Sequence, residues 1–283
     1  MAKLLISNGA NINYINPESG LHYLHICIKN HMDEITELLI SKCEDINIKS
    51  SEQIIVRDEE GEELDYGMTP LHYAVLTKNY LIFNLLISHG ADVNAKDSFG
   101  KTALFYIVNK HNRSFQYIHI VMNFVTKQTE NLQNEEIHRE TKEIVKTLIS
   151  RGANINEKDK SGKTALHYAA FYSDIESIEI FISHGADVNA KDKIGKSPLH
   201  WASMVEDDCD NVLIPIDNNE EKSKIKEKIY QLSCQLYKQT LEFLISNGAD
   251  INDIDYFGVT ALQNAKKYYR GNITEIQSLF DAK

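Results

Sequence analysis

The chain has 283 residues, 42% of them hydrophobic and 25% charged, with a formal net charge of −11. That is an ordinary globular balance with length enough for a large core, and its acidity argues against non-specific attachment to phosphate backbones or anionic membranes. Cys27, Cys43, Cys209 and Cys234 form no CxxC pair and no metal-ligand spacing, so they read as reduced thiols. The apolar patch Leu4-Leu5-Ile6 is too short for a signal-peptide core, and no apolar run reaches membrane-spanning length. The expectation is a cytoplasmic or nuclear protein that uses no metal and no cofactor.

Residues 1–16 read as half of a repeating unit: the end of a helix, the glycine Gly9, then Ala10-Asn11-Ile12-Asn13. Residues 17–49 are a degenerate full unit, with Cys43 where a glycine would end the second helix. Residues 50–63 are an insertion read as an enlarged hairpin, from Ile54-Ile55-Val56 and the acidic turn Asp58 to Glu63. Residues 64–96 are a regular unit. Pro70 takes the first helical position there, where its missing N–H costs nothing. Residues 97–158 are another unit, with an insertion at 111–142 predicted to lengthen both helices into a projecting hairpin.

Residues 159–191 show the unit in its plainest form. A turn, Asp159-Lys160-Ser161-Gly162, precedes a helix that starts at Thr164. A Thr hydroxyl there caps a free helix N–H, worth about 1 kcal/mol, and His167 at the third helical position can reach back as in a capping box. Leu166, Ala169 and Ala170 give a flat face. Ile175, Ile178, Phe181 and Ile182 form the apolar stripe of a second helix, which Gly185 ends. Residues 192–254 repeat the pattern with an insertion at 205–239, and Glu220 to Ser246 reads as one helix about 40 Å long. Residues 255–283 are a shortened closing unit. Gly152 and Gly185 stand 33 residues apart, one period. Such a unit buries one face only, so its copies must stack.

Two motifs recur in fixed phase. Thr69-Pro70-Leu71-His72, Thr164-Ala165-Leu166-His167 and Ser197-Pro198-Leu199-His200 are one. Gly90-Ala91-Asp92-Val93-Asn94 and its copies at Gly152, Gly185 and Gly248 are the other. They resemble the TPLH and GADVN motifs of the ankyrin repeat family. The resemblance implies an all-α solenoid of helix–turn–helix units with projecting β-hairpin turns, and a role in binding another protein through a concave surface and the hairpin tips. The alternative is a recognition or adaptor subunit of a larger enzyme complex, such as a ubiquitin ligase or a signalling assembly. No enzymatic activity, nucleic acid or membrane is expected. A monomer is expected unless a second chain covers the open half unit at 1–16.

Equivalent positions of stacked units lie side by side, roughly 10 Å apart. One such row carries lysines at the turns: Lys101, Lys160, Lys163, Lys193 and Lys196, beside Asp97, Asp159 and Asp192. It suggests a positive edge for an acidic partner. A second row, Leu76, Asn109, Phe171 and Met204, follows the small residues of each first helix. The resemblance places it on the partner-facing inner surface, and Phe99, Ile194, Tyr256 and Phe257 add apolar groups at the turns. Exposed apolar patches mark interaction sites, and these residues are the candidate docking set. The column Tyr73, Tyr106, Tyr168 and Trp201 is predicted to belong to the core. Both insertions are predicted to converge over residues 171–174 as a second binding surface.

Overall fold

The computed structural model describes residues 8–51, 56–57, 63–64, 67–108, 132–204, 219–269 and 271–281. The chain is built from helices in pairs. The first unit of the Cα packing comprises residues 1–107 and 139–160, and the second residues 108–138 and 161–283.

In the first unit α1 (Tyr23–Lys29) pairs with α2 (Asp33–Lys42), and α3 (Pro70–Leu76) with α4 (Tyr80–Ser88). A 3₁₀ turn, Ala103–Tyr106, takes the first-helix place in the following repeat. First helices pack on first helices, α1 on α3 and α3 on the 3₁₀ turn, while α2 packs on α4. Between the repeats β1 (Val56–Arg57) pairs antiparallel with β2 (Glu63–Leu64), which starts at the last residue of the segment read as an enlarged hairpin, 50–63. The part of helix α5 (Leu132–Ser150) from Arg139 onward closes the repeat in this unit, with Ile144, Val145 and Leu148 buried.

The second unit obeys the same rule. Helices α6 (Ala165–Phe171), α8 (Pro198–Ser203) and α10 (Ala261–Tyr268) pack in series. Outside them lie α7 (Ile175–Ser183), α9 (Asn219–Ser246) and α11 (Ile273–Asp281), each on the next. Leu166, Ala169 and Ala170 of α6 and Ile178 and Phe181 of α7 are buried, as the apolar stripe requires. Helix α9 runs unbroken for 28 residues, about 42 Å at 1.5 Å per residue. Ile225 and Ile229, in its inserted first half, are fully buried.

The local causes are visible at each start. Thr69, Thr164 and Ser197 hold extended backbone as N-caps, and the Nδ1 of His72, His167 and His200 accepts the cap N–H at 2.9, 3.0 and 3.3 Å. The 3₁₀ turn is the exception that shows why. Phe105 stands in the histidine's place there, the imidazole acceptor is lost, and Thr102 Oγ1 is buried with no hydrogen-bond partner among the described residues. The first helix expected to lengthen into the insertion opens here as a short 3₁₀ turn, and the residues that would carry its extension, 109–131, lie outside the described residues. The helices that reach Gly90, Gly152, Gly185 and Gly248 hand over to left-handed φ of 84–93°. Cys43 cannot adopt that cheaply, and its repeat leaves α2 through extended backbone, φ −74°. Phe115 to Val125, and with them most of the insertion at 111–142, lie outside the described residues, as do 205–218. So does the predicted convergence of the two insertions.

Candidate functional site

The turns that join repeats are organised by a buried aspartate. Asp192 Oδ1 accepts the N–H of Ile194 (2.9 Å) and of Lys196 (2.8 Å), and Asp192 N–H donates to Lys196 O (3.0 Å). Asp97 does the same for Phe99 and Lys101, and Asp255 for Phe257 and Val259. Asp97 and Asp192 were expected, with Asp159, beside the lysine row as counter-charges. Instead they sit inside the turn, because a short side chain two bonds from the backbone reaches the N–H groups of its own turn.

In Asp192 and Asp97 the second carboxylate oxygen ties the turn to the body. Trp201 Nε1 donates to Asp192 Oδ2 at 2.9 Å, and the Tyr106 hydroxyl to Asp97 Oδ2. The aromatic column therefore has a polar task as well. Tyr73 is fully buried, while Tyr106, Tyr168 and Trp201 are half-buried. Over the face of Trp201 lies Lys163 Nζ, 3.7 Å from the ring centroid and 5.3 Å from that of Tyr168. Phe171 meets Trp201 edge-on at 5.6 Å, and Tyr172 at 5.1 Å. In the second unit Lys163, Phe171 and Trp201 are thus one cluster, with Met204 half-buried at the end of α8.

Turns also stack through backbone. Lys193 N–H donates to Ser161 O (3.0 Å) and Tyr256 N–H to Ile194 O (3.1 Å) in the second unit, and Lys160 N–H to Phe99 O (2.8 Å) in the first. The donor residue comes down onto the glycine of the turn before it. A Cβ on Gly162 would lie 2.7 Å from Lys193 N, and one on Gly195 would lie 2.5 Å from Tyr256 Cδ1. Glycine is required there by space as well as by its φ of 81° or 78°.

The lysine row is less free than its sequence suggests. Lys196 was read as a partner contact, and the structure corrects this. It is buried, its Nζ 2.7 Å from Asp255 Oδ2, with side chains 9% and 1% exposed. Burial pushes the Asp255 carboxyl up, but the Lys196 ammonium and two turn N–H groups outweigh it and hold it below the usual range. Lys191 is paired with Asp253 and also donates to Gly195 O, and Lys96 pairs with Glu157 at 2.8 Å. Lys160 and Lys193 are exposed at their tips, and Lys101 lies 5.8 Å from the Phe99 ring centroid.

The apolar tips are the other half of the picture. Tyr256 is 76% exposed, Phe257 74% and Ile194 39%, all in the second unit. In the first unit Leu76 ends α3 at 37% and Phe99 sits at its turn at 40%. Asn109 lies outside the described residues.

Two structural roles escaped the motif reading. Asn94 donates to Gly152 O (3.0 Å) and accepts from Asn154 N (3.2 Å). Asn189 likewise donates to Gly248 O (3.0 Å) and accepts from Asp250 N (2.9 Å). The last asparagine of the recurrent motif thus clasps the next repeat at Asn94 and Asn189, and its recurrence at positions 13, 47, 94, 156, 189 and 252 was the available signal. The histidine column does similar work. His167 Nε2 lies 3.1 Å from Lys196 O and His200 Nε2 3.0 Å from Val259 O, each in the next repeat. With Nδ1 accepting, these rings carry their proton on Nε2. Among the described residues no group of His, Cys, Asp and Glu is arranged to hold a metal ion, and no helix is long and apolar enough to cross a membrane.

Comparison with known proteins agrees with this geometry. A family model for three-copy ankyrin repeats matches residues 136–223, and a single ankyrin repeat model matches 66–98. The fowlpox virus chain FPV223, named as an ankyrin repeat protein, is 33% identical over 116 residues, 40% of this chain and 82% of that one. Human inversin is 30% identical over 125 residues, 42% of this chain and 12% of inversin. The human cation channel of the transient receptor potential family, subfamily A member 1, is 27% identical over 188 residues, 62% of this chain and 16% of the channel. The chain belongs to the ankyrin repeat family, an all-α solenoid class. Ankyrin repeats are, as a family, protein–protein interaction modules without chemistry of their own.

Proposed function

We propose that this chain is a protein-binding module whose second unit carries a docking surface made of Phe171 and Met204 on the first-helix row and Lys163, Lys193, Ile194, Tyr256 and Phe257 on the turn edge. The observation that carries the reading is the exposure of large apolar side chains on a rigidly bonded edge. Tyr256 and Phe257 are about three-quarters exposed, yet their turn is fixed by Asp255 and by the bond to Ile194 O. Aromatic groups held in place before binding lose little entropy on capture, which is what a recognition surface needs. Lys196 takes no part in contact and instead holds the turn. In the first unit Leu76, Phe99, Lys101 and Lys160 form a shorter edge of the same kind. The reading assigns no reaction to the chain.

The experiment is affinity capture with Phe171→Ala and with Met204→Ala, scored beside thermal melts. Loss of the captured partner with a melt close to the parent supports the surface. A melt lowered by many degrees with capture intact would make these residues core and remove the reading.

A further inference from the structure

The turns of the second unit use up their carboxylates internally. Asp192 is taken by its own turn N–H groups and by Trp201 Nε1, Asp253 by Lys191 and Asp255 by Lys196. Those pairings leave Lys163 and Lys193. Lys193 is exposed, and among the described residues no carboxylate pairs with it. Its stem lies over Gly162, where an added Cβ would come within 3.1 Å of Lys193 Cγ, so it rises next to Lys163. Lys163 holds its ammonium 3.7 Å from the Trp201 ring centroid and 5.3 Å from that of Tyr168. An aromatic face attracts a cation without neutralising it. The Trp201 ring is itself fixed by its bond to Asp192 and by Phe171 packed edge-on. Two positive charges are thus presented with the half-buried Phe171 and Met204 and the exposed Ile194. These residues belong to α6, α8 and their turns, and α10 packs beyond them on α8.

Taking the docking surface proposed above as the one in use, we propose that its occupant is an acidic segment of another protein, which sets carboxylates on Lys163 and Lys193 and an apolar side chain on Phe171 and Met204. Charge complementarity selects the sign. A basic segment would meet only turn carboxylates already engaged by Lys191, Lys196 and Trp201. The chain as a whole is acidic, with a formal net charge of −11, and that turns away a long polyanion such as a nucleic acid. Screening confines a charge's reach to about 8 Å in physiological salt, so a short segment seated on the two lysines feels them more than the acidic remainder. Lys163 is held on its ring before contact and loses little freedom on pairing.

Trp201 is the chain's one tryptophan, and because Lys163 lies on its ring its emission reports what becomes of that ammonium. The probes are hexapeptides with a central Leu-Phe pair, flanked by Asp and Glu, by Asn and Gln, or by Lys and Arg. Added to the whole chain, the acidic peptide should change Trp201 emission saturably, with a Kd on the order of a millimolar or below. The amide peptide should bind at least tenfold more weakly, and the basic one not at all. Lys193→Gln should weaken the acidic peptide about threefold, as loss of one exposed ion pair does, and leave the melt unchanged. Raising salt from about 50 to about 300 mM should weaken it as well. Equal binding of the acidic and amide peptides would overturn the proposal, as would an emission unchanged by the acidic peptide at several millimolar. So would a single-stranded DNA octamer that binds as tightly as the acidic peptide, because the site would then take any polyanion. Capture lost with Phe171→Ala, beside indifference to peptide charge, would keep the docking surface and remove only its acidic partner.

Discussion

At the scale of the residue, the histidines decide more than the lysines. Burial lowers His72 to about 4 and His25 to about 3, and it lowers His200 as well. Protonation at Nδ1 would also put a proton where the cap N–H must donate. The unfolded chain binds these protons near pH 6.5 while the folded chain does not, so stability is whole above that pH and falls as pH drops toward the folded values. Each such histidine costs up to about 1.4 kcal/mol per pH unit in that window. Urea unfolding at pH 7 and pH 5 should show a lower midpoint at pH 5, and His72→Gln should flatten the difference. Equal midpoints for the parent chain would contradict the assigned tautomers. The capping role was legible because Thr and His recur three apart at helix starts. The fate of Lys196 was not, since its partner Asp255 is 59 residues away and only stacking brings them together. Lys196→Met should destabilise by about 3 kcal/mol, because it leaves a buried carboxylate without its counter-ion. A change under 1 kcal/mol in calorimetry would mean that the two turn N–H groups satisfy Asp255 alone.

At the scale of the element, turn and helix are tied by a few repeated bonds. Gly162 and Gly258 share a left-handed φ, 81° and 73°, but only Gly162 has a neighbour's backbone against it. Alanine at Gly258 should cost about 1 kcal/mol of conformational strain, and alanine at Gly162 clearly more, since Lys193 must move. Equal losses in denaturant titrations would remove the close-approach argument. The long helix α9 was readable from Ile225, Ile229 and Leu236 at helical spacing. That its inserted half is packed and not solvated was not readable, because periodicity shows a face and not what covers it. Ile229→Ala should cost about 2–4 kcal/mol. A loss near zero would place that half of the helix outside the cooperative core. The 3₁₀ turn Ala103–Tyr106 was hidden for a different reason: one changed side chain, Phe105, removes a hydrogen bond that composition does not register.

At the scale of the molecule, the helix–turn–helix repeat was legible, because a 33-residue period with two motifs in phase fixes which helix of one repeat faces which helix of the next. Within each unit that pile puts first helices on first helices and second on second. What the period could not tell was which members of a row are used up in holding the pile together. Lys191, Lys196 and the turn aspartates are consumed by it, while Ile194, Tyr256 and Phe257 are left exposed. Each row therefore divides into side chains that hold the pile and side chains left open to solvent, and the second group is the one proposed for recognition. The most direct test is a paired measurement on two variants, Phe257→Ser with Tyr256→Ser in one and Lys196→Met in the other. The first should lose partner capture while melting within about 4 °C of the parent, and the second should melt many degrees lower. Capture retained by the double serine variant, or an unchanged melt for Lys196→Met, would contradict it.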